Sequence, residues 1–187
     1  MKNIKSIIET SIVLLGIVLF LKFFVLGFFY VASDSMYPEL VEGDYIIVSK
    51  LSYNLFSFQY TEPQKGDVVV IDYEGLAITK RIIAEPGDSI VFNERNIFVN
   101  GLGLIFNEYK SISDFYKYVP SSKIQRQYIS PNSDNYFFAG DFLELSKDSR
   151  FFGTKSKKDI IGKAIFIYLS KDTKNNIRTN RIGTFIK

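Results

Sequence analysis

SDSMYPEL, from Ser33 to Leu40, is the stretch from which the rest of this chain can be interpreted. Small and polar residues surround Ser35, and Met36 and the rigid Pro38 follow it, which is typical of an exposed turn at the end of a strand. Such a turn is a suitable place for a nucleophile. A turn with a purely structural role has the same pattern, so the choice depends on other parts of the chain.

The composition limits which chemistry a nucleophilic Ser35 could use. The chain contains no histidine and no cysteine, which excludes a Ser-His-Asp triad, a cysteine nucleophile and any metal site built from these residues. The base for a serine nucleophile must then be Lys, Asp, Glu or Tyr. A lysine base is an established solution on several folds, and we expect neither a metal nor a cofactor.

Length and aromatic content predict one mainly β domain. A chain of 187 residues with 47% hydrophobic content can bury one core. Aromatic residues make up 16% of the chain and favour strands.

The charge is unevenly distributed along the chain. From Lys147 onward there are eleven Lys and Arg against three Asp and Glu, whereas the first 146 residues have twelve against seventeen. A basic C-terminal part is compatible with a solvated face or with contact to anionic lipid head groups. Nucleic acid is disfavoured as a partner, because no recognised binding motif accompanies the charge.

The N-terminal segment has the pattern of a membrane anchor. Residues from Ile4 to about Leu21 are mostly apolar, and ~20 residues suffice to span a bilayer. A cleaved signal peptide is the alternative, but the apolar run exceeds the usual ~7 to 15 residues and no A-x-A site follows it. Lys2 and Lys5 lie at the N-terminal end of this segment, which predicts a cytoplasmic N-terminus and an outer location for everything after Lys22.

Apolar runs separated by Gly and Pro turns predict the strands of the following domain. A hairpin is expected across Asn93 to Asn96, and residues 102–138 resemble a small excursion from the core. We predict an anchor at residues 1–26 and an extracytoplasmic β domain at residues 27–187. The strands are expected at Phe23–Val31, Tyr45–Val48, Val68–Tyr73 and from Leu76 to the turn at Pro86-Gly87.

LAITKRIIAEPGD, Leu76 to Asp88, contains the candidate base. The period of two in a strand places Lys80 between Ile78 and Ile82 on one face. Apolar neighbours would desolvate the amine and lower its pKa from the free value of ~10.4 toward neutrality. A surface lysine on an edge strand is the alternative.

Four ordered motifs behind an apolar N-terminal segment resemble the sequence boxes of the bacterial type I signal peptidases, which are membrane-bound Ser-Lys proteases. GKAIFIYLS and the later Arg181-Ile182-Gly183 are similar to the end of that family. The resemblance covers most of the chain and is weakest from Asn93 to Phe138. The four motifs are SDSMYPEL, KGDVVV, TKRIIAEPGD and GDFLELSKDSRFFG.

The resemblance implies roles for individual catalytic residues. Ser35 matches the nucleophile and Lys80 its general base. The hydroxyl of Ser33 and the backbone N–H of Ser35 match the oxyanion hole. Ser146 matches a serine that orients the lysine ammonium.

The resemblance also implies supporting and substrate-binding residues. Asp148 and Arg150 match a supporting ion pair, and Asp141 belongs to the same supporting group. Shallow pockets for small side chains are expected to be lined by Phe29, Val31, Met36 and Leu40. Extended substrate is expected to pair with the strand residues Ala77, Ile78 and Thr79.

The chain departs from the family pattern at two places. Glu39 stands where the family usually has Thr, and Phe142-Leu143 stand where it usually has Asn-Arg. Neither departure replaces the nucleophile or the base. The packing behind Lys80 is the property that these residues put in question.

As a whole, the resemblance implies a single N-terminal transmembrane helix followed by an all-β signal-peptidase-like catalytic domain with a small inserted region. Its expected activity is removal of signal peptides from exported preproteins after small residues, through an acyl-enzyme, at the outer face of the bacterial cytoplasmic membrane. Two alternatives stay open: a Ser-Lys peptidase dedicated to one secreted or conjugation protein, and a non-catalytic peptide-binding relative. A binding module has no need of both Ser35 and Lys80.

Overall fold

The computed structural model describes residues 2–20, 25–53, 61–103, 117, 121–130 and 132–187. One long helix, α1, precedes a set of antiparallel strands, so the prediction of a mainly β chain is confirmed. The elements are α1 (Lys2–Phe20), β1 (Leu26–Tyr30), β2 (Asp44–Ser49), β3 (Val68–Tyr73), β4 (Leu76–Ala84), β5 (Ser89–Phe92), β6 (Ile97–Val99), β7 (Leu102–Gly103), β8 (Gln125–Tyr128), β9 (Asn135–Ala139), α2 (Ser149–Phe152), β10 (Lys155–Ser156) and β11 (Ile160–Ser170).

Two sheets organise the described strands. The larger sheet has seven strands in the order β1-β2-β11-β3-β4-β9-β10, and the smaller has four in the order β7-β6-β5-β8. Their strand pairs are antiparallel. Strand β4 lies inside the larger sheet, so the residues that precede and follow Lys80 are held by neighbouring strands.

The larger sheet encloses a core that reaches the SDSMYPEL segment. Val31, Met36 and Leu40 are buried together with Ile46 of β2 and Ile167 of β11. These apolar side chains come from both ends of the domain. Their burial removes apolar surface from water and fixes the turn between β1 and β2 to the sheet.

The hairpin predicted across Asn93 to Asn96 is present, because β5 pairs with β6 and the N–H of Asn93 donates to the carbonyl of Asn96 at 3.0 Å. The predicted excursion at residues 102–138 ends earlier than expected. Its last residues, Asn135 to Phe138, belong to β9 of the larger sheet, where Phe137 and Phe138 are fully buried. Residues 104–116, 118–120 and 131 of the excursion lie outside the described residues.

Two further expectations concern the N-terminal part. The predicted first strand, Phe23–Val31, corresponds to β1, and its residues Phe23 and Phe24 lie outside the described residues. The predicted membrane helix corresponds to α1 at Lys2–Phe20. Among the described residues, no helix meets the combined length and apolarity that a membrane crossing requires.

Candidate active site

A short 3₁₀ turn at Asp34–Met36 positions Ser35. Ser33 precedes it in extended conformation, and the N–H of Tyr37 closes the turn by donating to the carbonyl of Asp34 at 2.9 Å. The Asp34 carboxylate also accepts a hydrogen bond from the N–H of Glu42 at 2.8 Å. Met36 anchors the turn in the core, so Ser35 is buried to 6% exposure and has a fixed position.

Lys80 reaches this serine from β4. Its Nζ lies 2.8 Å from Ser35 Oγ, within hydrogen-bond distance, although the two residues are 45 positions apart. Only 4% of Lys80 is exposed. The period-two argument for a desolvated lysine therefore agrees with the burial that the structure shows.

The surroundings of Lys80 favour its neutral form. Burial lowers the pKa of Lys80 from 10.5 to about 8, and the positive charge of Arg150 acts in the same direction. The carboxylates of Asp148 and Asp141 oppose this shift. A lysine with such a pKa is largely neutral in mildly alkaline solution and can accept a proton from a neighbouring hydroxyl.

Ser33 lies beside the Ser35–Lys80 pair on the exposed side. Its Oγ donates to Ser35 Oγ at 3.3 Å. Ser35 Oγ thus has two polar neighbours, one buried and one open to an incoming group. This position allows the Ser33 hydroxyl to rotate toward a bound carbonyl.

Gly140 packs directly behind the nucleophile. A Cβ at this position would lie 2.3 Å from the carbonyl oxygen of Ser35 and 2.4 Å from Ser146 Oγ, so only glycine fits. The N–H of Gly140 donates to Ser146 Oγ and to the Asp148 carboxylate, both at 3.1 Å. Within the described part of the chain, Ser146 Oγ accepts the hydrogen bond from the Gly140 N–H and makes none to Lys80. The direct contact with the lysine ammonium that was expected of Ser146 is therefore not present.

Asp148 and Arg150 form the expected ion pair, with Arg150 Nε 2.8 Å from Asp148 Oδ1. Both side chains are almost completely buried. Asp148 also caps α2 by accepting from the N–H of Arg150, while Arg150 Nη2 donates to the carbonyls of Leu143 and Ser146 at 2.7 and 3.1 Å. The Asp148–Arg150 pair therefore stabilises the conformation of the loop between Gly140 and α2.

Asp141 has a partner that the sequence reasoning did not identify. Arg81 contacts both of its carboxylate oxygens, through Nε at 2.7 Å and Nη2 at 2.6 Å. Arg81 Nη1 also donates to the carbonyls of Gly66 and Lys187. Since Arg81 follows Lys80 in a strand, its side chain leaves from the opposite face, and this alternation was the available signal.

One edge of β4 is open beside the Ser35–Lys80 pair. Residues Leu76 to Lys80 pair with β3, whereas β9 pairs with β4 only from Arg81 onward. No described strand covers the other edge of Leu76 to Lys80. The residues expected to pair with substrate, Ala77, Ile78 and Thr79, lie on this edge and are at least partly exposed.

The expected pocket residues lie mainly in the core. Val31, Met36 and Leu40 are buried in one cluster, and Phe29 is partly buried against it. At 1% and 0% exposure, Met36 and Leu40 present almost no surface that a substrate could contact directly.

The two departures from the family pattern have clear contacts. Leu143 is buried in a core cluster formed by residues of both sheets, and the ring centroids of Phe142 and Tyr37 lie 6.3 Å apart. Glu39 Oε1 accepts a hydrogen bond from the N–H of Lys187 at 2.6 Å. None of these contacts displaces Lys80 from Ser35.

A serine hydroxyl next to a buried lysine amine in a β fold is the arrangement of a Ser-Lys hydrolase. The family model described as "Signal peptidase, peptidase S26" matches residues 4–169. The chain belongs to this family, and it is thus a serine endopeptidase of the signal peptidases.

Two similar sequences carry signal peptidase names. "Probable signal peptidase I-1" of Synechocystis sp. is 30% identical over 97% of this chain and 88% of its own length. "Inactive signal peptidase IA" of Staphylococcus aureus is 29% identical over 87% of this chain and 90% of its own length. A crystal structure of a signal peptidase I from Enterococcus faecalis matches 56% of this chain and 98% of its own, with 22% identity and a TM-score of 0.40.

Proposed function

We propose that this protein removes signal peptides from exported preproteins with Ser35 as nucleophile and Lys80 as general base. The observation that carries the proposal is the 2.8 Å contact between Lys80 Nζ and Ser35 Oγ, both of them buried. Nucleophile and base within hydrogen-bond distance are the requirement for covalent catalysis by a serine.

The reaction runs in two halves. Neutral Lys80 takes the Ser35 proton as Oγ attacks the carbonyl carbon, and the resulting ammonium gives that proton to the leaving amine as the C–N bond breaks. Water then attacks the acyl-enzyme ester, with Lys80 again accepting a proton, and Ser35 leaves reprotonated. The Ser33 hydroxyl and the Ser35 N–H stabilise the negative oxygen in both halves.

The substrate binds as an added strand. An extended peptide can use the open edge at Ala77, Ile78 and Thr79, because its backbone groups pair with those that β9 leaves uncovered. A shallow recess at Phe29 and Val31, which share a core cluster with the buried Met36 and Leu40, then accepts only small side chains before the cleavage site. Ser146, Asp141 and the Asp148–Arg150 pair support the catalytic residues through the Gly140 loop.

We place the protein in the bacterial cytoplasmic membrane with a single N-terminal anchor. The apolar side chains of α1 from Ile4 to Phe20 are exposed on all sides, as a lipid-facing helix requires. Strand β1 carries two exposed aromatic residues, Phe28 and Tyr30, that suit the membrane surface. Lys2 and Lys5 keep the N-terminus in the cytoplasm and the catalytic domain outside.

A non-catalytic relative is the second candidate, because one similar protein carries the name "Inactive signal peptidase IA". The intact Ser35–Lys80 contact argues against it for this chain. A peptidase dedicated to one secreted or conjugation protein would keep the same catalytic pair, and a panel of preproteins separates it from a general enzyme.

The test is cleavage of an ordinary preprotein by the full-length protein in detergent. Ser35→Ala and Lys80→Ala should each abolish cleavage, and the double variant should be no worse, since members of one catalytic unit are not additive. Ser133→Ala is the matched control, because its hydroxyl bonds a turn carbonyl at Ser130. Substantial cleavage by either single variant would contradict the mechanism.

A further inference from the structure

An exposed apolar patch lies next to the nucleophile. Tyr37 is 54% exposed two positions after Ser35, and its ring contacts that of Phe142 at 6.3 Å. The N–H of Phe142 donates to the carbonyl of Ser35 at 3.0 Å, which fixes the ring to the nucleophile's own backbone. Leu145, 62% exposed, ends the turn that its N–H closes on the carbonyl of Phe142. We call Tyr37, Phe142 and Leu145 the apolar step.

The sheet topology determines which part of a substrate meets this step. The open edge of β4 runs from Leu76 to Lys80 and ends where Arg81 pairs with Ala139 of β9. Gly140 to Phe142 follows β9 directly. A peptide extended along the open edge therefore cannot continue beside β4 past Lys80. It has to leave the edge and cross the turn that carries the apolar step.

The fold leaves side chains of the apolar step exposed, so a bound ligand would be needed to bury them. Met36, the residue before Tyr37, points into the core, whereas Tyr37 and Leu145 present more than half of their surface to solvent. Two carboxylates of the same loop are already paired, Asp141 with Arg81 and Asp148 with Arg150, whereas Glu144 and Lys147 are exposed at its surface. The paired carboxylates Asp141 and Asp148 therefore do not oppose an apolar ligand beside Ser35.

We infer that the apolar step binds the first residues after the scissile bond and favours an apolar or aromatic side chain there. The inference rests on the proposed function, which assigns Ala77 to Thr79 to the residues before the bond. Edge-to-face or offset contacts with the Tyr37–Phe142 pair give such a side chain both an apolar surface and a preferred geometry.

The experiment compares peptides that differ only in having Phe or Ser at the first, and separately at the second, position after the cleavage site. For the wild-type protein, kcat/KM should favour Phe about two- to tenfold at one of these positions, as expected for one aromatic contact. Phe142→Ala and Leu145→Ala should reduce this ratio, and Phe142→Leu should retain most of it.

Phe151→Ala is the matched control, because Phe151 is 61% exposed on α2 and has no place in the apolar step. Its Phe-to-Ser ratio should equal that of the wild type. A wild-type ratio near one, or equal ratios in the wild type and the Phe142 and Leu145 variants, would overturn the inference while leaving the peptidase intact. Failure of the wild type to cleave any of the peptides above the Ser35→Ala background would overturn the proposed function, and the inference with it.

Discussion

Burial and neighbouring charges have opposing effects on the pKa of Lys80, and their balance makes its amine suitable as a base. Desolvation is the largest and lowers the pKa of Lys80 to about 8, whereas Asp148 and Asp141 favour the ammonium form. Each of these carboxylates is paired with an arginine, Arg150 or Arg81. The two ion pairs weaken the negative field that would otherwise keep the lysine charged.

The pH profile should report this balance. Only the neutral amine accepts the Ser35 proton, so kcat/KM should rise with pH through about 8 and level off above it. Initial rates with a peptide substrate between pH about 6 and about 11 measure the profile. A rate that still climbs at pH ~10.4, as for an unperturbed lysine, would show that Lys80 is not desolvated in the working enzyme.

The same shift has a consequence for stability with a definite sign. The unfolded lysine binds its proton up to the ordinary pKa of 10.5, whereas the folded one releases it at about 8. Between these values the unfolded state binds more protons, so this group makes folding more favourable as pH rises. The free energy of unfolding of the wild type relative to Lys80→Met should therefore increase between pH 8 and 10.5.

Ser33 could either donate to the oxyanion or only close the turn, and substitutions distinguish these two roles clearly. As an oxyanion donor it should stabilise the transition state alone, and Ser33→Ala should lower kcat and kcat/KM by a factor of ~10² to 10³. Ser33→Thr keeps the hydroxyl and should restore part of the activity. A Ser33→Ala variant that loses melting temperature but keeps its rate within a few-fold would assign Ser33 to the turn.

At the scale of elements, Arg81 joins β4 to the loop after β9. Arg81→Gln should remove the two-pronged contact with Asp141, which is mostly buried, and lower the melting temperature by several degrees. The carboxylate of Asp141 would then act on Lys80 unscreened, so the pH profile should move to higher pH.

The control for Arg81→Gln is Lys65→Gln. Lys65 pairs with Asp88 at 3.1 Å and is 44% exposed, and neither residue is among the charges that shift the pKa of Lys80. Its loss should change stability slightly and leave the pH profile in place. An unshifted profile for Arg81→Gln would show that Arg81 acts on the fold alone.

The sequence predicts local features of the elements well. The hairpin at Asn93 follows from its own side chain, whose Oδ1 accepts from the N–H groups of Arg95 and Asn96. The burial of Lys80 follows from the apolar residues at alternate positions of β4. The hairpin depends on residues close together in the chain, whereas the contact of Lys80 with Ser35 spans 45 positions.

Features that join distant segments were not predictable in this way. The partner of Asp141 lies 60 positions away, and β9 was assigned to an excursion because its pairing with β4 has no local signal. Leu143 is explained only by the core that forms around it. The residues matched to the family's catalytic roles were identified by resemblance, and the structure brings Ser33, Ser35 and Lys80 into hydrogen-bond contact.

For the whole molecule, orientation in the membrane is the property to test. Lys2 and Lys5 lie in the first turns of α1, before its long apolar stretch, so protease added to intact spheroplasts should digest the region beyond Ala32 and leave residues 1–5 protected. Immunoblotting with tags at the two ends measures this. Protection of the C-terminal tag in intact spheroplasts, with digestion after lysis, would reverse the orientation and separate the active site from exported preproteins.

The pairing of β2 with β11 ties the segment around Ser35 to residues near the C-terminal end of the sequence. Asp44, at the start of β2, bonds to Ser170 and Arg181, which are 126 and 137 positions later in the chain. The segment around Ser35 is therefore held by residues that leave the ribosome long after the serine has done so. Contacts of such separation form slowly. We therefore expect the Ser35–Lys80 contact to form only after synthesis of the chain has passed Arg181.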